Sequence, residues 1–561
     1  MKIRLYAYVA ALLFACLPLA HAADLLVTNV NGYTLDGAGK LTRFRALLID
    51  HGKVVATGSE AAMKKRSGNA HVEDGNGRTL LPGLIDAHGH VMGLGFEKSQ
   101  AGLEETTSLD AAQAAVKAFA DAHKDAAWVR GRGWNQVVWK LGHFPTAQDL
   151  DRVVPDRPAW MRRVDGHAGW ANTAAMKLAG VDKETRDPTG GRIERDAQGN
   201  PSGIFVDGAM DLIESHLPAL TASEAANALD AALAEMASVG MTSVGDAGID
   251  LDTYHLYRRS ADEHKLTARI FAMIGGTDQD FDAISKKGPL IGYDDDFLDV
   301  RAVKLYADGA LGSRGAAMLA PYSDDPNNSG LLFHSPDELT AMIGKALSKG
   351  YQVCVHAIGD RANREVLDSF EAAFKAHGGQ GLRNRIEHAQ VVALEDIPRF
   401  SKLKLIASMQ PTHATSDMNM AEDRIGPERL KGAYAWRRFL QQGTLIAGGS
   451  DFPVESSNPF YGLHAAVTRQ DHKDRPRGGW QPDQKMTLVE ALRAFTLDAA
   501  FAAHHEKTLG TLEPGKWADF ILIDRDLFKI KPAKIWSTQV LETWVGGKRV
   551  FARKDNHSPA A

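Results

Sequence analysis

Four histidines, an aspartate and a lysine stand at or near the ends of segments that read as β-strands. His88 and His90 close the stretch LLPGLIDAHGH (80–90) as a His-Gly-His triplet. Alternation along a strand puts both imidazoles and Asp86 on one face. His356 lies towards the end of YQVCVHAIGD (351–360), His388 towards the end of RNRIEHAQ (383–390), and Asp451 ends GTLIAGGSD (443–451). A single strand histidine usually packs in a core, and an isolated His-x-His is weak evidence of anything else. Four histidines and an aspartate at the ends of four different strands are better explained as a metal site, since imidazole and carboxylate suit zinc and related divalent ions. Lys304 sits inside RAVKLYADG (301–309), flanked by Val303 and Leu305. A lysine buried in a sheet is costly unless its charge is paired or removed.

The elements that must position these groups follow from hydrophobic patterning. The central region alternates β-branched apolar runs with Ala-rich amphipathic runs such as EAANALDAALAEMASVG and ELTAMIGKALSKG, the βα rhythm of a parallel sheet or barrel. Eight strands are expected, at 80–90, 241–248, 267–274, 301–309, 351–360, 383–390, 403–411 and 443–451. They imply an α/β fold, a (β/α)8 TIM barrel, with the polar residues on its C-terminal rim, where barrel active sites sit. The barrel spans 82–505 and carries a large insertion after its first strand, 91–238, expected as a lid or substrate region. The chain ends share a different texture. LLVTNV, RALLIDHGKVVATG, GTLEPGKWADFILIDRDL and LETWVGGKRVF are short strands broken by Gly-containing turns, so 23–81 and 506–555 are expected to form one small composite β-sandwich domain.

Composition narrows the function classes. The 561 residues include 65 Lys and Arg against 70 Asp and Glu, a net charge of −5, and no basic block supports nucleic-acid binding. The N-terminus reads MKIRLYAYVAALLFACLPLAHAADLL. Lys2 and Arg4 precede a short apolar run broken at Pro18, and Ala20-His21-Ala22 is an A-x-A cleavage site, so residues 1–22 are expected to be a signal peptide. A periplasmic or secreted chain with no stable membrane span after cleavage follows; lipoprotein attachment at Cys16 fits less well, because Phe14 suits such a site poorly. The second cysteine, Cys354, lies in the apolar YQVCVHA and reads as a buried, inert thiol.

The motifs PGLIDAHGH (82–90), GRGWN (131–135), RVDGHAGWAN (163–172), DPTGGRIERDAQGNPSG (187–203), VKLYADGALGSRGA (303–316), HAIGDRA (356–362), RIEHAQ (385–390), SMQPTH (408–413), GGSDFPV (448–454) and GTLEPGKWADFILID (510–524) together resemble the amidohydrolase superfamily, in its YtcJ-like third family. The resemblance covers nearly the whole chain after the leader. It implies an exported metal-dependent hydrolase of a non-peptide C–N bond, such as an N-substituted formamide or an N-acyl amine. It also implies two divalent metal ions, zinc first among candidates, bound by His88, His90 and Asp451 at one position and His356 and His388 at the other. A CO2-derived carbamate on Lys304 would bridge them. Hydroxide held between the metals would attack the carbonyl, with Asp451 as general base and then general acid, and His413 steadying the oxyanion. Asp360 and Glu387 would orient the ligands, or else serve as solvated or helix-capping carboxylates. Trp134, Asn135, His167 and Trp170 are candidates for a substrate pocket, although such residues are equally at home in a core; Arg314 would meet a substrate carboxylate or pin its own loop. A small-molecule amide is the expected partner, with a homodimer left open. A cyclic amide or imide hydrolase and a mononuclear deaminase-like enzyme share the scaffold; Lys304 argues against the mononuclear case. A non-catalytic periplasmic binding protein would be expected to have lost Lys304 or Asp451, and both are present.

Overall fold

The computed structural model describes residues 23–164, 166, 168–188, 191–218 and 221–554. The candidate leader 1–22, with Cys16, and the candidate pocket residue His167 lie outside the described residues. Eight parallel strands form one sheet: β1 (Leu84–Gly89), β2 (Met241–Ile249), β3 (Arg269–Gly275), β4 (Leu298–Tyr306), β5 (Gln352–Ala357), β6 (Arg385–His388), β7 (Ile406–Met409) and β8 (Ile446–Gly448). Each pairs with the next in chain order. The sheet curls until its ends meet just beyond β8, where the Asp451 amide donates to the His88 carbonyl at 2.7 Å and the His90 amide to the Phe452 carbonyl at 2.8 Å. All eight expected strands are present, and the architecture is the TIM barrel.

The barrel strands carry near-continuous apolar runs because both faces are covered, inside by side chains and outside by helices. Helix starts obey their local signals. Thr221 with Glu224 and Ser335 with Glu338 form capping boxes for the helices Ala222–Ser238 and Pro336–Ser348, each satisfying amide groups that the first turn leaves unpaired. The first of these buries Ala228, Leu229, Ala232, Leu233 and Met236, a stripe at helical spacing.

The chain ends supply two further sheets. One joins Asn31–Leu35, Leu41–Phe44 and Thr79–Pro82 to Phe520–Ile523, Val540–Val545 and Lys548–Ala552; the other joins Leu25–Thr28, Ala46–Asp50, Lys53–Gly58 and His71–Asp74. Leu25, Val27, Leu47, Ile49, Leu80, Phe520, Leu522 and Trp544 make one core between them.

The segment after β1 has its own sheet of six strands between Ala101 and Asp207. It includes the antiparallel hairpin Gly191–Arg195 with Pro201–Asp207. This unit is narrower than the span 91–238. The helices Val91–Lys98 and Ala222–Ser238 at its ends bury Val91, Leu94, Leu229 and Leu233 in the main core, so they belong to the barrel. No described helix is long and apolar enough to cross a membrane.

A buried ion pair ties the barrel to the terminal sheets. Arg269, the first residue of β3, donates from Nε to Asp519 Oδ2 at 2.7 Å and from Nη2 to Oδ1 at 3.1 Å, and from Nη1 to the Asp295 carbonyl at 2.7 Å. Asp519 also accepts the Gly546 amide at 2.7 Å. Both side chains are excluded from water. Replacing one partner leaves the other charge buried and unpaired, so Asp519→Ala is expected to lower stability by about 3–5 kcal/mol. Urea unfolding read at the first transition checks this; a midpoint matching the parent protein would mean that the pair does not tether the two parts.

Candidate metal centre

The polar strand ends converge on one side of the barrel. His88, His388 and Asp451 present ligand atoms that all lie within 4.8 Å of one another. His90 Nε2 is 3.1 Å and His88 Nε2 3.5 Å from Asp451 Oδ1. The His356 and His388 ring centres are 4.6 Å apart. These groups line a cavity of about 490 Å3, together with Lys304, Tyr306, His413 and residues of the loops after β4, β7 and β8.

Three of the imidazoles are tethered through the same ring nitrogen. Nδ1 of His88 lies 2.5 Å from Glu387 Oε2, Nδ1 of His90 2.9 Å from the Ala247 carbonyl, and Nδ1 of His388 2.8 Å from Gln410 Oε1. An acceptor at Nδ1 holds the proton there and leaves the Nε2 lone pair for the cavity, the usual way in which a protein orients a ligating histidine. His356 Nε2 and His413 Nε2 are buried with no hydrogen-bond partner. His356 Nε2 lies 3.4 Å from Asp308 Oδ1, and His413 Nε2 lies 3.7 Å from Asp451 Oδ2. Buried polar atoms are rarely left unpaired. Two of them beside a cluster of neutral imidazoles and carboxylates is a donor set suited to divalent metal ions.

Electrostatics keeps His88, His388, Asp451 and Glu387 in the forms that ligation needs. Burial, with Lys304 beside it, lowers His88 to about 4. Burial, with His356 beside it, holds His388 well below its ordinary value, so both rings are neutral at neutral pH. Burial pushes Asp451 upwards, but the His90 hydrogen bond and the imidazoles of His88 and His388 outweigh it, and the carboxyl stays well below the usual range. Burial also opposes ionisation of Glu387; the Arg385 guanidinium and His88 overcome it and bring it down to about 2. Arg385 Nε donates to Glu387 Oε1 at 2.7 Å.

Two of the ligand positions carry strained backbone. His388 has φ 72° and Asp451 φ 64°, in the left-handed region that side chains other than glycine seldom adopt, at a cost of about 1–3 kcal/mol each. The Asp451 turn is held by its amide on the His88 carbonyl and by the Val454 amide on the Asp451 carbonyl at 2.9 Å.

Lys304 projects into the same cavity from β4 and is almost fully buried. Its Nζ lies 3.1 Å from His88 Nε2 and 4.7 Å from the Tyr306 ring centre. Among the described residues no carboxylate pairs with it.

Several expected site residues lie elsewhere. Trp134 and Trp170 are fully buried in the core of the inserted sheet. Their indole N–H groups donate to the Met161 and Thr146 carbonyls, both at 2.7 Å. Asn135 accepts the Val137 amide at 3.0 Å in a tight turn. Arg314 grips Asp324 through Nε at 3.1 Å and Nη2 at 2.9 Å. None of the four borders the cavity, and no described residue of 91–238 does. The physical reason is common to the Trp residues and Arg314: a Trp-rich motif satisfies a core as well as a pocket, and an arginine takes the nearest carboxylate. Asp360 accepts the Leu319 amide at 2.7 Å and so pins the loop after β4 instead of orienting a ligand. Cys354 is free and buried, its thiol pushed up to about 12 by burial.

Sequence reasoning missed two supports, Asp308 and Gln410, and gave a third, Asp86, a place but no role. Asp308 accepts the amides of Ala317, Ile358 and Gly359 at 2.8, 2.9 and 2.8 Å, joining the β4 loop to the end of β5. Its signal was alternation, since 304, 306 and 308 share a strand face. Asp86 has the same relation to His88 and His90. Gln410 had no spacing signal, because its role is set by a neighbouring strand.

A model of the Amidohydrolase family matches residues 71–551. The chain is 32% identical over 520 residues to YtcJ of Bacillus subtilis (strain 168), covering 91% of this chain and 96% of that one. It is 27% identical over 546 residues to the N-substituted formamide deformylase of Arthrobacter pascens, covering 94% and 98%. The crystal structure of an uncharacterized metal-dependent hydrolase from Pyrococcus horikoshii OT3 superposes with a TM-score of 0.76 at 28% identity, covering 91% of this chain and 99% of that one. By these matches the chain belongs to the amidohydrolase family and is a metal-dependent hydrolase acting on carbon–nitrogen bonds other than peptide bonds.

Proposed function

We propose that the enzyme hydrolyses a small non-peptide amide, an N-substituted formamide or an N-acyl amine, at a centre of two divalent ions, most simply zinc. The observation that carries this reading is the set of Nδ1-tethered imidazoles packed around Asp451, with Lys304 among them and no carboxylate of the described residues beside it. The 27% identity to an N-substituted formamide deformylase along 94% of the chain supports the substrate class. His88, His90 and Asp451 would hold one ion, and His356 and His388 the other. Bound there, the ions supply an activated water and a polarised carbonyl.

The remaining steps belong to the chain's own groups. Asp451 is ionised and buried, so it accepts a proton from the attacking water and passes it to the leaving nitrogen. His413 donates from Nε2 to the carbonyl oxygen as negative charge grows there. Lys304 as an ammonium is a poor neighbour for metal ligands. If the ammonium gives up two protons as Nζ bonds the carbon of CO2, the product is an anionic carbamate whose oxygens would serve as metal ligands. The apolar leader with its Ala-x-Ala site supports release into the periplasm or medium.

Three measurements test this reading. Purified, metal-replete protein offered N-formyl, N-acyl and cyclic amides should release amine from the first two classes; turnover of none would sink the substrate assignment. Intact mass under native conditions should show one CO2 on the chain, and Lys304→Ala should lose metal and reduce kcat by more than about 100-fold. Full metal content and rate in that variant would remove Lys304 from the centre. Glu387→Gln keeps the shape but weakens the hold on His88 Nδ1, and should lower metal affinity about 10–100-fold in a chelator competition.

A further inference from the structure

The wall of the cavity beyond the ligand cluster is acidic. Asp417, from the helix Pro411–Asp417 that follows β7, and Glu455, from the loop after β8, both line it. Each is held by one oxygen only. Asp417 Oδ2 accepts Tyr434 Oη at 2.6 Å and Gln390 Nε2 at 3.0 Å; Glu455 Oε1 accepts Ser416 Oγ at 2.6 Å. Asp417 Oδ1 and Glu455 Oε2 receive no hydrogen bond from the described residues. Among the described residues no arginine lines the cavity, and the one lysine that does is Lys304. Arg314 and Arg424, from the neighbouring loop and helix, are both engaged by Asp324. Burial raises both the Asp417 and Glu455 carboxyls, with only His413 among nearby imidazoles opposing it. Such a wall repels a substrate carboxylate and is incomplete without a cation. Of the two readings of Arg314, its pairing with Asp324 agrees with the one that pins its own loop.

We propose that the enzyme selects amides carrying a positively charged nitrogen beyond the scissile bond, held between Asp417 Oδ1 and Glu455 Oε2. This rests on the amide-hydrolase reading above and names the substrate class within it. The two fixed carboxylates are oriented before binding, so little ordering is needed when an ammonium arrives.

The test uses native, metal-replete enzyme and three formamides of similar length: N-formylputrescine (cationic), N-formylpentylamine (neutral) and N-formyl-γ-aminobutyrate (anionic). The cationic compound should have a kcat/KM about tenfold above the neutral one, with the anionic compound lowest. In Asp417→Asn and Glu455→Gln the cationic-to-neutral ratio should fall by about tenfold, mainly through KM. Equal turnover of all three, a preference for the anion, or an unchanged ratio in both variants overturns the cation assignment and leaves amide hydrolysis standing. Turnover of none overturns both.

Discussion

The seam between the first and last barrel strands runs over the carboxylate of Asp86. Both of its oxygens accept the Ser450 amide at 3.1 Å, Oδ2 accepts Ser450 Oγ at 2.6 Å, and Oδ1 accepts the His88 amide at 3.0 Å. Burial drives this carboxyl up to about 7, against the hydrogen bonds that favour its charged form. Strand β8 approaches so closely that a side chain at Gly449 would put its Cβ 2.8 Å from Asp86 Oδ1 and from the His88 nitrogen. His88 and His90 lie on one side of the seam and Asp451 on the other. This contact holds the two sides in one arrangement.

The carboxylates around the centre divide by what they face. Asp86, Asp308 and Glu387 are consumed by the protein: each holds backbone amides, a hydroxyl or an imidazole, and each is fully buried. Asp451, Asp417 and Glu455 line the cavity. The first set costs desolvation and returns rigidity, because a buried polar network that is well satisfied specifies one geometry. The second set leaves the cavity short of positive charge, which bound metal ions and a cationic substrate can each supply. Left-handed backbone at His388 and Asp451 belongs with this economy, since strain of this kind persists only where surrounding contacts over-determine it.

Much of the scaffold was legible along the chain. Every barrel strand could be found from its apolar run, and the ligand residues from their places at strand ends, because a parallel barrel must put βα turns and functional groups on one rim. Glu387 was legible as a neighbour of His388, and its partner proved to be His88, one strand end recognising another across the barrel. The pocket residues were not legible. GRGWN and RVDGHAGWAN look like a binding surface when read alone, yet Trp134 and Trp170 face each other at 6.2 Å inside a separate core. Asp417 and Glu455 passed unnoticed, since each is an ordinary acidic residue in an ordinary loop or helix end until the fold brings them to one wall.

Patterns with a short period are local properties, so the sequence by itself determined the eight strands, the family and the identity of the candidate ligands. Which nitrogen of each histidine faces the cavity depends on groups far away in the chain. So does the pairing of Arg314 with Asp324, and so does the sign of charge on the substrate wall. Those were decided only by the tertiary structure, because hydrogen bonds and Coulomb terms act between atoms that folding brings together, whatever their distance in sequence.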